Sequence, residues 1–592
     1  KTQTLRIRLY SEDEAPGSFE PFDEVFAARE AEHDSFYSDL LPDGMDDEAR
    51  EIALQAYASL LWSKQFYHYV VEAWLDGDPS GPEVAPGRAN GRNTDWRHLH
   101  SRDVISMPDK WEYPWFAAWD LAFQMLPMAR IDPGFAKTQL ALFLREWYMH
   151  PNGQLPAYEF HLSDVNPPVH AWAAWRVYQI DADKTGDPDI GFLARAFQKL
   201  LLNFTWWVNR KDENGLGIFS GGFLGLDNIS VFDRSADVPG GGDLHQADAT
   251  GWMALYCANM MRMAIELARQ SGPNQPAYED MASKFLEHFV QIIHAINTHG
   301  GTGLWDESDG FYYDQIRNGD KMTPLKVRSL VGLIPLAGVE TIEDSILEEL
   351  PDFSRRFHWF INNKPELSQH LRRHDDDRGC WLISTVPPTR LTRILGHLLD
   401  EQEFLSPYGI RSMSKVHAEK PYVLETADGE EHTAHYTPGE SKTGMFGGNS
   451  NWRGPIWFPL NHLLIETLEQ FDEFFDGVFK IRYPSRQEGE HLGLAEIASR
   501  LRARLTGIFR RPGDNGATPA FANAENPLWS RPENAKLILF HEFFHGETGR
   551  GLGARHQTGW TALAAMHLEH LAREGLPQRP APIRRVLEID CR

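Results

Sequence analysis

Along most of this chain apolar side chains recur at the three- and four-residue spacing of helices packed on a core. Leu140, Phe143, Leu144 and Trp147 fall at i, i+3, i+4 and i+7, and Met281, Phe285, Phe289, Ile292, Ile293 and Ile296 keep the same period. Both windows predict amphipathic helices. The beginning reads differently, because Leu5, Ile7 and Leu9 alternate with polar neighbours as in a strand. The pattern therefore predicts a β-domain remnant over residues 1–20, an acidic linker over 21–47, and a mainly α domain over 48–592. Between Glu403 and Glu440 the chain is richer in Tyr, Val, Thr and Pro, which predicts a small β-insertion.

What separates the helices is more informative than the helices. Six loops combine glycine with aromatic and polar residues: HPNGQLPAYEF, SGGFLGLDN, GGTGLWDESDGFYYD, FLSPYGIRS, FGGNSNWRGPIW and TGRGLGARHQTGW. Helix pairs punctuated six times by such loops predict a closed ring of paired helices with its loops gathered at one rim. The other reading is an irregular helical protein with unrelated loops.

Composition narrows the function. A formal net charge of -26 repels phosphate backbones, and no basic stripe offsets it, so nucleic acid is excluded as an expected partner. No apolar run approaches the roughly 20 residues that span a bilayer. The cysteines Cys257, Cys380 and Cys591 are few and far apart, so a reducing compartment and a cytoplasmic location are expected. In such a compartment the sequons at Asn203 and Asn228 are chance matches. The 19 tryptophans point to sugar where they sit in loops beside polar residues, since pyranose C–H faces pack on aromatic rings. Those on helical stripes, such as Trp206 and Trp207, read as core.

Several segments carry candidate chemistry. WEYPWFAAWDLAFQ places Trp119 and Asp120 at a helix start, where a carboxylate either binds adjacent hydroxyls or complements the helix dipole. In SGGFLGLDNIS, Gly221, Gly222 and Gly225 let backbone approach a ligand. Asp227 follows Leu226 there, in apolar surroundings that raise a carboxyl pKa as a general acid requires; a plain glycine-rich turn is the alternative. FGGNSNWRGPIW supplies Asn449, Asn451, Trp452, Arg453 and Trp457, with Arg453 either orienting a carboxylate or binding helix-end carbonyls. His541-Glu542-Phe543-Phe544-His545 is a literal H-E-x-x-H, which on a helix would hold zinc with Glu542 as base. Its usual H-x-x-G-x-x-H continuation fails at Thr548 and Gly551, and only Glu569 stands as a distant third ligand. DADKTGDPD begins like a calcium loop but has Phe192 where the bidentate Glu belongs, so it reads as an acidic turn. No metal or cofactor is expected.

Taken together, LLWSKQFYHY, WEYPWFAAWDLAFQ, HPNGQLPAYEF, GGFLGLDN, LWDESDGFYYD, SPYGIRS, GGNSNWRGPIW and HEFFHGETGRGLGARHQTGW resemble glycoside hydrolase family 63, more closely its large bacterial members than its eukaryotic processing glucosidases. The resemblance implies an (α/α)6 barrel, often preceded by a β-sandwich, and inversion at the anomeric carbon. It implies Asp227 as general acid in Gly225-Leu226-Asp227-Asn228, and Glu542 as base with Glu547 as its competitor. It further implies a terminal-sugar pocket of Phe116, Trp119, Asp120, Gln154, Gly225, Arg453, Trp457 and Trp560. The expected substrate is a terminal α-linked glucose of a small oligosaccharide or glycoside, with α-mannosyl and glycosyl-acid substrates open in the same family. Trehalase-like enzymes share the barrel. A zinc metallopeptidase and a non-catalytic carbohydrate-binding protein are the rivals from other classes.

Overall fold

The computed structural model describes residues 3–575 except 15–16, 213–214, 271, 273–274, 375–378, 427–428, 487–488, 512–517, 522–530, 535 and 556–557. Cys591 lies outside the described residues. The architecture is mainly helical. The helix Ala118–Ile131 packs on His170–Thr185, which packs on Ala247–Gln270; that helix meets the short turn Ile334–Ala337, which meets Phe458–Phe475. Phe458–Phe475 then contacts Leu563–Arg573, and Leu563–Arg573 returns to Ala118–Ile131, so the neighbour relations close on themselves.

Residue choice explains which helices lie inside. Ala118–Ile131 and Ala247–Gln270 are buried on nearly every face, as expected of helices surrounded by others. The helix Gln275–Thr298 instead buries the stripe predicted from its sequence, including Phe285, Phe289, Ile292, Ile293 and Ile296. It lies against Ala247–Gln270. Trp206 and Trp207 are buried on Ile190–Lys211, as expected of core. Asn203 and Asn228 are also buried, so neither sequon is presented to solvent.

Several local expectations differ from what forms. Described residues 3–10 make no strand, and Leu5, Ile7 and Leu9 are exposed; alternation without a partner strand cannot close a ladder. Instead Arg6 pairs with Asp23 at 2.8 Å and covers the Phe22 ring. The expected linker contains the helix Phe22–Leu40, whose acidic residues Asp23 and Glu24 sit in the first turn where the dipole favours them. The helix predicted through Trp147 stops at Leu142, although Phe143 and Leu144 remain buried in the turn that follows. The β-insertion is present as two small hairpins, Leu405–Ser406 with Gly409–Ile410 and Tyr422–Glu425 with Glu431–Ala434. In the acidic turn, Lys137 Nζ bridges Asp181 and Asp189 at 2.8 and 2.7 Å, filling the place a cation would take.

Candidate active site

Loops that precede inner helices converge on one region. Trp119 and Asp120 lie in the first turn of Ala118–Ile131, Trp457 caps Phe458–Phe475, and Trp560 lies just ahead of Leu563–Arg573. Asp227 sits in the loop before Ala247–Gln270 and accepts a hydrogen bond from Ser450 Oγ. Next to it, Asn228 donates to Asn451 Oδ1 at 3.1 Å and accepts from the Trp452 amide at 2.7 Å. Asn451 is fully buried and fixed by donating to the carbonyls of Thr437 and Gly439, each at 2.7 Å.

Glu542 comes from another loop. It immediately precedes the strand Phe543–Phe544, which pairs with Gly551–Leu552. The Ala554 amide donates to Glu542 Oε2 at 3.0 Å and the Tyr113 hydroxyl donates to the same oxygen at 3.3 Å. A Cβ on Gly553, whose φ is +66°, would stand 2.4 Å from that oxygen, so only glycine leaves the carboxyl its place. Trp560 Nε1 holds the Glu542 carbonyl at 3.0 Å.

Both carboxyls are held above the ordinary range. Burial lifts Asp227 to about 6; Ser450 and a backbone bond oppose the rise, and the charges of Asp164 and Asp233 add to it. Burial lifts Glu542 to about 8, against the Ala554 hydrogen bond and with the charges of Asp120 and Asp227 adding. The Tyr113 hydroxyl is also raised, first by burial and then by Glu542, with Asp227 contributing, so one phenol feels both acids. Glu547 is the opposite case. Despite partial burial it is held at about 2 by Arg411, Tyr436 and Lys415, with Arg411 Nε at 2.9 Å. A carboxylate with so little proton affinity is a poor base, and its place is an ion-pair cluster.

The aromatic residues form a packed wall against the loop that carries Glu542. Trp452 and Trp457 stack with centroids 3.9 Å apart and planes 4° from parallel, and Phe543 covers Trp457 at 4.6 Å. Trp560 packs edge-on to Trp119 and Trp457. Trp457 therefore has neighbouring rings on its planes and is 1% exposed, so it supports the wall and offers no open stacking face. Gly225, with φ +67°, lies under Trp119: a Cβ there would be 2.7 Å from the indole.

Of the other expected pocket residues, Phe116 packs on Phe143 and Tyr148 in the core. Gln154 donates its side-chain amide to the Ser163 carbonyl at 2.9 Å and lines a cavity together with Trp119 and Asp164. Arg453 binds backbone carbonyls of Asn228 and Ser230 at 2.6 and 2.5 Å, which belong to the Asp227 loop and not to a helix end, and burial lowers its pKa to about 10. The H-E-x-x-H segment is not helical, since Phe543–Phe544 is a strand, so the one-face arrangement of His541 and His545 that zinc needs does not form. Among the described residues no group of His, Cys, Asp and Glu is placed to hold a metal ion. Sequence reasoning missed Tyr113 and Ser450. Both lie inside the quoted motifs, but nothing in the sequence ties them to carboxyls hundreds of residues away.

Comparison with known proteins gives the family of the chain. A family profile described as mannosylglycerate hydrolase MGH1-like glycoside hydrolase domain matches residues 113–352 and 377–561. An uncharacterised protein of Saccharomyces cerevisiae is 50% identical over 562 residues, 92% of this chain and 51% of its own length. The chain thus spans about half the length of that relative. A Schizosaccharomyces pombe protein named as a probable mannosyl-oligosaccharide glucosidase is 27% identical over 174 residues, 29% of this chain and 14% of that one. Among solved structures, a family 63 mannosylglycerate hydrolase from Thermus thermophilus in complex with glucose aligns at 16% identity and TM-score 0.46, covering 79% of this chain and 95% of that one. With the profile spanning both carboxyl loops and most of the helical domain, the chain belongs to the MGH1-like glycoside hydrolases of family 63.

Proposed function

We propose that the chain is an inverting, exo-acting hydrolase built on an (α/α)6 barrel, releasing a terminal α-linked glucose from a small oligosaccharide or glycoside. The reading rests on one observation above all: Asp227 and Glu542 are two carboxyls lifted toward neutrality by burial, with the charge of Asp227 felt at Glu542. The barrel reading is supported by helix contacts that close on themselves. Asp227 gives its proton to the glycosidic oxygen as the bond to the anomeric carbon breaks, and the bonding pair stays on that oxygen. Water attacks the opposite face and passes its proton to Glu542.

The proton affinities of the two carboxyls run the other way, with Glu542 the stronger holder. The competent form is therefore one proton shift from the resting one. A glycosidic oxygen beside Asp227 favours the shift because only a protonated carboxyl can donate to it. The mannosylglycerate hydrolase-like character of the family makes a mannosyl residue on glycerate the second substrate reading.

Proton NMR of the first-formed sugar tests the mechanism on a panel of α-glucosides, α-mannosides and glycosyl glycerates. Early β-anomer is expected, with the glucosides turned over fastest. Early α-anomer would overturn inversion, and faster mannosides would move the substrate reading to mannose.

A further inference from the structure

The loops carrying Asp227 and Ser450 are joined as a parallel zipper. Phe223 contacts Phe446 with ring centroids 5.0 Å apart, the side chains of Asp227 and Ser450 and of Asn228 and Asn451 meet, and the Ser230 backbone carbonyl accepts from Arg453. Each rung joins residues 223 apart in sequence. Ser450 is thus fixed from below by buried Asn451 and from above by a turn in which Phe446, Gly447 and Gly448 all have positive φ. A non-glycine residue held in that region costs energy and persists only where its surroundings fix it, which here keeps the serine in register with the acid.

We propose that Ser450 is a positioning residue that aims the acid proton: its hydroxyl occupies Asp227 Oδ2 and reserves Oδ1 for the proton delivered to the glycosidic oxygen. A protonated carboxyl has one O–H and two oxygens that can bear it. An oxygen already accepting from a fixed hydroxyl is the poorer place for the proton, so the O–H resides on Oδ1. The glycosidic oxygen presents only lone pairs, and transfer requires the O–H to point at them within hydrogen-bond reach. Without the serine hydroxyl the proton is shared between both oxygens and much of it faces away. The inference rests on Asp227 being the general acid.

The test compares Ser450→Ala, Ser450→Thr and Asp227→Asn on an unactivated α-glucosyl disaccharide and on α-glucosyl fluoride, whose leaving group needs little protonation. Ser450→Ala is expected to lose about 10- to 100-fold in kcat on the disaccharide, a part of what general acid catalysis supplies, and to stay near wild type on the fluoride. Ser450→Thr keeps a hydroxyl and is expected to restore disaccharide turnover. Equal loss on both substrates, or no rescue by threonine, would overturn the assignment. Wild-type turnover by Asp227→Asn would instead remove the acid reading on which it rests.

Discussion

Replacing Glu542 by glutamine should stabilise the protein while removing most of its activity, and the stabilisation should depend on pH. The carboxyl titrates at 4.5 ordinarily and at about 8 here, a difference worth about 5 kcal/mol at 1.36 kcal/mol per pH unit. Because the folded-state pKa is raised, the protonated form is favoured by the fold. Its contribution is complete below the ordinary pKa and is lost as pH rises through the folded one. Glutamine imitates the protonated acid, and its carbonyl oxygen can accept from the Ala554 amide as Oε2 does. Near pH 4.5 the two proteins should therefore melt together. Above pH 8 the variant should be more stable by up to about 5 kcal/mol. With an unfolding entropy of about 2 cal/mol/K per residue, a 592-residue chain gains about 4 °C in Tm from that difference. Differential scanning calorimetry at pH 4.5, 6.5 and 8.5 reads the effect, and the same samples should show kcat lowered by roughly 10²- to 10⁴-fold. A Tm difference that does not grow with pH, or a variant less stable at pH 8.5, would refute the burial argument.

The kcat/KM profile of the wild type should be a bell with limbs at about 6 and about 8, measured on the preferred glycoside across pH 4.5–9.5. In Asp227→Asn acting on α-glucosyl fluoride, the limb at 6 should vanish while activity still rises through the Glu542 titration. Glu547→Gln should cost about 1–3 kcal/mol of stability, toward the lower end because the cluster is partly solvated, and leave kcat within a few-fold of wild type. A loss of activity as large as that of Glu542→Gln would make Glu547 the base. Gly225→Ala forces a Cβ against the Trp119 indole at a positive φ and should lower activity at least tenfold with about 1–3 kcal/mol of destabilisation, read by kinetics and melting together.

Helical periodicity is local, so the amphipathic stripe of Gln275–Thr298 and the hairpins within Glu403–Glu440 were legible from neighbouring residues alone. Motif order likewise carried the family and put Asp227 and Glu542 forward as the candidate carboxyls. Where a pattern needs a partner to become structure, neighbouring residues alone do not decide the outcome. Among the described residues Leu5, Ile7 and Leu9 alternate without pairing in a strand, and the acidic stretch before Asp47 contains a helix whose first-turn charges meet the dipole and Arg6. The literal zinc motif fails for the same kind of reason, because Phe543–Phe544 pairs with Gly551–Leu552 and its spacing belongs to a strand.

By itself the sequence determined the helical class and the family, and it singled out Asp227 and Glu542 as the candidate acid and base. The tertiary structure alone decided how those acids behave. Their proton affinities come from burial and from charges and donors far along the chain: Ser450 lies 223 residues from Asp227, and Tyr113 lies 429 from Glu542. It also built Arg453 and Trp457 into the frame around the candidate site, the guanidinium on backbone carbonyls and the indole between neighbouring rings. Electrostatic energy depends on distance in space and on exclusion of water, and neither is written in the order of residues.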